Sequence, residues 1–255
     1  MSRFRHSPAF IGGLLVLAAA SLECQEWSSY TPSLKSQVVS LGRVEAASLL
    51  GDFCVSVTDG KDPGLTCKTR SFADLGDNEF HPKGVIFGHF LDSGLEGAVI
   101  SGSSYEGHAE HFGGTLLLTQ EKGTWKPIWY KPGLITRSCE KAQRPDARDI
   151  LLCEFEDGGM GHRYHALNVI DLRKLSTAAA PLVSADSFES DFCVAQHQTM
   201  GAVQWGTGRR TFSVLVRTPL WERLPDGTCG PHPPKRPQRS VRMEFEVTND
   251  GVHLL

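Results

Sequence analysis

The chain has 255 residues, 40% hydrophobic and 22% charged, with a formal net charge of −3. That apolar fraction is ordinary for a folded globular protein and excludes an extended disordered chain. The small acidic surplus argues against a nucleic-acid partner, because phosphate contacts need clustered Lys and Arg. Length alone allows one large all-β domain or two small ones.

The first residues read as a targeting segment. Arg3, Arg5 and His6 form a basic start, Ala9 to Leu17 an apolar run, and Ala18-Ala19-Ala20 a small-residue cleavage site. The run is too short to span a bilayer and no stop-transfer segment follows it, so residues 1–20 are expected to be a cleaved secretory signal. Losing Arg3 and Arg5 makes the mature chain more acidic still. The competing reading, a lipid on Cys24, is disfavoured because Ser21-Leu22-Glu23 is a poor match to the small apolar residues that precede lipidated cysteines. The sequence therefore predicts a secreted or periplasmic protein with no transmembrane segment after cleavage.

Seven cysteines fit that compartment, where disulfides persist. Setting aside Cys24, the even set of six is expected to pair locally as Cys54–Cys67, Cys139–Cys153 and Cys193–Cys229, each pair bracketing turn-rich sequence. No CxxC occurs, which argues against a thioredoxin-type site and a cysteine-based zinc knuckle.

Residues 21–40 show no clean period and are expected to be an extended lead-in. Residues 42–50 are a candidate short helix, with Val44, Ala47 and Leu50 near helical spacing; a strand running into 53–57 is the alternative. Asp59 to Gly64 is turn sequence, after which Cys67 returns towards Cys54 as a hairpin. Residues 84–102 read as strand, the turn Asp92-Ser93-Gly94, then strand. The runs 115–119 and 125–130 flank Glu121-Lys122-Gly123 as a hairpin, and 134–139 and 149–155 form another. Residues 164–172 are strand, and 173–190 are a connecting segment and a weak internal boundary. Phe212, Val214 and Val216 alternate with Ser213, Leu215 and Arg217. Val241, Met243, Phe245 and Val247 alternate with Arg242, Glu244, Glu246 and Thr248, the mark of a half-buried strand. Asn249-Asp250-Gly251 then closes a last hairpin. Residues 41–255 are thus expected to form a single all-β domain of repeated sheets.

Three segments echo one another: 94–100, 146–152 and 208–214, each a polar turn followed by a buried-type strand. Such repetition points to propellers or arrays, in which one sheet cannot bury its face without neighbours. The clearest copy, Phe87-Gly88-His89-Phe90-Leu91-Asp92-Ser93-Gly94-Leu95-Glu96-Gly97-Ala98-Val99-Ile100, resembles the FG-GAP/VCBS-type repeats of β-propeller proteins. That family's repeat carries a glycine-aromatic strand end, an acidic Gly-rich turn and an aliphatic strand. The resemblance implies a propeller-like arrangement of small antiparallel sheets; a disulfide-stapled β-sandwich is the alternative. The family's calcium-binding versions place several acids in the turn. Here only Asp92 and Glu96 remain, too few for the 6–8 oxygens of a calcium site.

Two His-x-x-His pairs, His108/His111 and His162/His165, are the sharpest chemical feature. Four imidazoles from two loops suit zinc or copper, though three residues apart on a strand means opposite faces, so convergence needs turn or helical backbone. Hydrogen-bonded or solvated loop histidines are the default. No G-x-S-x-G elbow, H-E-x-x-H, Walker loop or complete G-x-G-x-x-G is present. The acid pairs Glu154/Glu156 and Glu244/Glu246 are expected on exposed strand faces rather than at a sugar. Residues 230–239 form a basic, proline-rich loop, a docking segment or a stiff solvated connection. Trp125, Trp129, Trp205 and Trp221 are expected to pack in the core, with a glycan site as the alternative. The chain reads as an exported binding or interaction module with a protein or glycan partner. The alternatives are a metal-binding protein or metal-dependent hydrolase, and a carbohydrate-binding protein.

Overall fold

Alternating and doubly apolar runs become strands throughout the computed structural model, which describes residues 34–51, 55–56, 65–66, 80–104, 113–159, 162–174, 181–190, 193–218 and 239–255, all within the unit Thr31–Leu255. In order these are β1 (Val39–Ser40), α1 (Arg43–Leu50), β2 (Val55–Ser56), β3 (Leu65–Thr66), β4 (Phe80–Gly88), β5 (Gly97–Ser104), β6 (Gly114–Glu121), β7 (Thr124–Pro132) and β8 (Cys139–Gln143). Then follow β9 (Asp149–Gly159), β10 (His162–Ile170), β11 (Val183–Ser190), β12 (Cys193–His197), β13 (Thr199–Met200), β14 (Gln204–Trp205), β15 (Thr211–Thr218), β16 (Arg239–Val247) and β17 (Val252–Leu254). The fold is all-β.

Three antiparallel sheets follow one another along the chain. Sheet 1 has the order β1-β4-β5-β6-β7 and sheet 2 runs β8 to β12 in sequence. Sheet 3 has the order β13-β15-β16-β17, with β14 also on β15. Separately, β2 pairs with β3, opposing Val55 to Thr66 and Ser56 to Leu65.

The sheets share one strand direction. Asp149, opening β9, exchanges hydrogen bonds with His89, just past β4: each backbone N–H donates across 2.8 Å, His89 to the Asp149 carboxylate and Asp149 to the His89 carbonyl. The close approach requires Gly88, where a Cβ would lie 2.6 Å from Asp149 Oδ2. The β8–β9 turn meets the β16–β17 turn, since Asp146 N–H donates to Asn249 Oδ1 at 3.0 Å. Hence β5, β9 and β15 all start at one end of the molecule, the turn end, and run to the other, the loop end. These are the three echoed segments, and each occupies an inner strand of a different sheet.

Side-chain parity explains the stacking. In a strand, successive positions face opposite sides. Ala98 and Ile100 join a core with Ala46, Leu49 and Leu50 of α1, while Val99 joins a second core with Leu151 and Cys153. In β9, Leu151 faces sheet 1, whereas Ile150 and Leu152 join a third core with Phe212, Val214, Phe245 and Val247 of sheet 3. Both β5 and β9 are therefore covered on both faces, which is why they read as continuous apolar runs. Each fully buried Leu or Ile contributes about 1.5–3 kcal/mol. The order of layers is α1, sheet 1, sheet 2, sheet 3, one sheet more than a sandwich holds. The outward face of sheet 3 carries exposed Arg217, Arg242, Glu244 and Glu246.

Residues 34–41 cross the layers. Leu34 joins the core between sheets 2 and 3 and Val38 that between sheets 1 and 2, while Leu41 packs beside the core under α1. Gln37 N–H donates to the Cys139 carbonyl at 2.7 Å, and Lys141 N–H donates to Gln37 Oε1 at 3.1 Å.

Several expectations are refined. The helix forms, but its buried face is Ala46, Leu49 and Leu50; Val44 is 79% exposed. The segment 173–190 is not a connection throughout. Its second half is β11, whose Val183 and Ala185 point into the core of sheet 2, and passage to sheet 3 comes only at Gln198. Cys139 and Cys153 face one another across β8 and β9 and are joined by a disulfide, with Cα atoms 4.1 Å apart. Cys54, Cys67 and Cys229 lie outside the described residues, and Cys193 opens β12.

Candidate functional site

The space between sheets 2 and 3 changes character along its length. Towards the turn end it is filled by Ile150, Leu152, Leu167, Phe212, Val214 and Phe245. Towards the loop end the same face of sheet 2 becomes polar. Following Ile150 and Leu152 in parity come Glu154 and Glu156 on β9; following Leu167 comes His165 on β10. His165 stands opposite Glu156 and bonds diagonally to Glu154, with Nε2 2.6 Å from Oε1. The Glu154 side chain is 1% exposed and that of His165 13%. A buried carboxylate holding a near-surface imidazole fixes the ring's orientation, an arrangement suited to a histidine that binds a ligand, moves a proton or ligates a metal.

A second buried carboxylate lies on the same face. Glu140 of β8 is held by the guanidinium of Arg209, which stacks 4.7 Å above the Trp205 ring. Arg209 follows Gly208 in the turn between β14 and β15, both in left-handed backbone, at φ 56 and 74. Trp205 in turn packs 5.1 Å from Phe212, so the arrangement joins sheets 2 and 3.

The predicted site residues are distributed as follows. His165 lies in this polar zone. His162 opens the same strand three positions earlier, at opposite parity. His108 and His111 lie outside the described residues. Their flanking strands β5 and β6 and the β9–β10 turn meet the same loop end. Among the described residues, no group of three or more His, Cys, Asp or Glu is spaced to hold a metal ion. The expectation of an exposed acid pair holds for Glu244/Glu246 but not for Glu154, which is buried. Its parity with Ile150 and Leu152 was the available signal, and the same argument from Ala142 places Glu140 inward. Trp125, Trp129 and Trp205 each pack against a core, while Trp221 and residues 230–238 lie outside the described residues. In the turn 92–94, Asp92 Oδ1 accepts the Gly94 N–H at 2.8 Å, so this acid shapes the turn.

Comparison with protein-family models, curated proteins and solved structures returns no match. No described helix is long and apolar enough to cross a membrane.

Proposed function

We propose that this chain is an exported binding module, a propeller-like but open stack of three sheets that presents its recognition surface at the loop end. The observation that carries the reading is the asymmetry of the stack. Connections 105–112, 160–161, 191–192 and 219–238 all join strands at one end, while the opposite end carries the hydrogen-bonded turns 92–95, 144–147 and 248–251 beside the longer connection 171–182. Binding residues concentrate on loops set on a rigid scaffold. The disulfide, the apolar N-terminal run and the small-residue site before residue 21 support export. Sequential five-stranded antiparallel sheets with a common strand direction support the likeness to propeller blades suggested by residues 87–100.

The test is a glycan array and an immobilised extracellular-protein panel probed with residues 21–255. Variants replace 105–112 or 223–236 by short Gly-Ser connections, and Asp92→Ala serves as a turn-end control. Binding lost in the loop variants and kept in the control is the expected result. Binding that survives both replacements overturns it. An alkaline phosphatase fusion to residues 1–40, with N-terminal sequencing of the product, tests export separately.

A second reading, metal binding through His108, His111, His162 and His165, rests on the Glu154–His165 pair, since metal-bound histidines commonly carry a carboxylate behind the ring. Calorimetry with zinc and copper on wild type and on a His108→Ala/His162→Ala variant decides it: unchanged heats end this reading.

A further inference from the structure

We propose that residues 34–41 form a clasp that makes the three sheets open and unfold as one unit, so that an open stack behaves as though its layers were closed on one another. The inference is independent of what the loop end binds. In stacked arrays each unit touches only its neighbours, and stability divides into unit and interface terms that permit piecewise opening. Here sheet 1 packs on one face of sheet 2 and sheet 3 on the other, through separate cores. The segment 34–41 is continuous across both interfaces. It inserts Leu34 into one core and Val38 into the next, then leads through Leu41 to α1 on the far side of sheet 1. It also lines two strand edges. Gln37 bonds to β8 through its own N–H and its side-chain oxygen. On β4, Val39 and Ser40 pair with Val85 and Gly84, and Leu41 N–H donates to the Lys83 carbonyl at 3.0 Å. Unpaired strand edges are templates for unwanted pairing, so the clasp also guards both sheets.

Lys35, Ser36, Val39 and Ser40 of the clasp are exposed, whereas Leu34 is buried and Gln37 and Val38 are half-buried, so its hold rests on those three side chains and on its pairing with β4. Gly84 is its seat. A Cβ there would lie 2.6 Å from Val38 Cγ1 and 3.2 Å from Ser101 Oγ, so a side chain at 84 displaces the clasp without altering its sequence.

Native-state hydrogen exchange in rising urea, read by mass spectrometry on residues 21–255, tests this. In wild type the slowest amides of β5, β9 and β15 should converge on one opening. In Leu34→Ser and Gly84→Val, β15 and β16 should separate from β5 and exchange at least about tenfold faster. In the milder Gln37→Ala, the Lys141 amide should exchange about tenfold faster while the fold is kept, so the idea stays testable if Gly84→Val does not fold. Three separate openings in wild type, an unchanged Lys141 amide in Gln37→Ala, or convergence that persists in Leu34→Ser overturns the proposal.

Discussion

The two ends of the stack are built differently. At the turn end, aspartates close turns on themselves: Asp92 accepts the Gly94 N–H, Asp146 the Arg148 N–H, and Asp171 the Arg173 N–H. Other side chains there reach between sheets. Arg144, wholly buried, bonds Asp171 at 2.8 Å and the Thr248 carbonyl at 3.2 Å, and Lys174 donates to the Asp250 carbonyl. At the loop end, the described polar contacts lie within one sheet and its flanks, as in Glu154–His165, Thr115–Thr136 and Gln198–Thr218. Among the described residues, the side-chain contacts that fix how the sheets sit on each other gather at the turn end. The difference teaches that stabilising contacts are unevenly distributed along the strand axis.

Four measurements would break or sharpen that contrast. Arg144→Met should have the largest effect, lowering stability to urea by about 3 kcal/mol, because it strands the Asp171 carboxylate and the half-buried Thr248 carbonyl. A loss as small as that of a surface substitution would mean the turn end does not hold the sheets. Glu154→Ala should cost about 2 kcal/mol, with amide and His165 ring shifts confined by NMR to the loop-end half of β9 to β11. Perturbation spreading to the turn end would blur the division. Ala147→Gly should raise stability by about 0.5 kcal/mol in thermal unfolding, since Ala147 sits at φ 65, where a side chain is strained. The smallest effect concerns acid. Burial nudges the Asp146 carboxyl upward, but hydrogen bonds and charge from Arg148, and the charge of Arg144, hold it below the ordinary value. A group with a depressed folded value stabilises above its unfolded value near pH 4 and loses that contribution as pH falls through the folded value. Asp146→Asn should therefore lower the melting temperature slightly at pH 7 and flatten its fall between about pH 4 and 2, where wild type loses the same contribution.

Much of the fold was legible. Lys122-Gly123 and Asn249-Asp250-Gly251 marked their hairpins because few residue pairs accept the backbone these turns need; Lys122 and Gly123 sit at φ 51 and 81. The half-buried strand 241–247 announced itself by parity, and the disulfide Cys139–Cys153 by the hairpin it crosses. The helix face was misjudged because the eight residues of α1 include several small or apolar side chains, and only the neighbouring sheet selects Ala46, Leu49 and Leu50. The stretch 173–190 read as a linker through its Ala-Ala-Ala-Pro run, which hides the short alternation beginning at Val183. The candidate site was partly readable. His165 stood out by spacing, but its partner Glu154 looked like half of an exposed pair. Only knowledge that sheet 3 covers that face makes it buried. Layer order is non-local, and periodicity reports only that a face is covered, not by what.

The outward face of sheet 3, with Arg217, Arg242, Glu244 and Glu246, sets a limit on growth. A stack of sheets can lengthen only if its last sheet offers an apolar surface to the next. Here the terminal unit offers charge, and on the opposite side α1 occupies the place another sheet would take. Adding a sheet at the C-terminal side would require replacing those four side chains together, since any one left behind would be buried without a partner. The charge of that face thus ends the stacking of sheet on sheet.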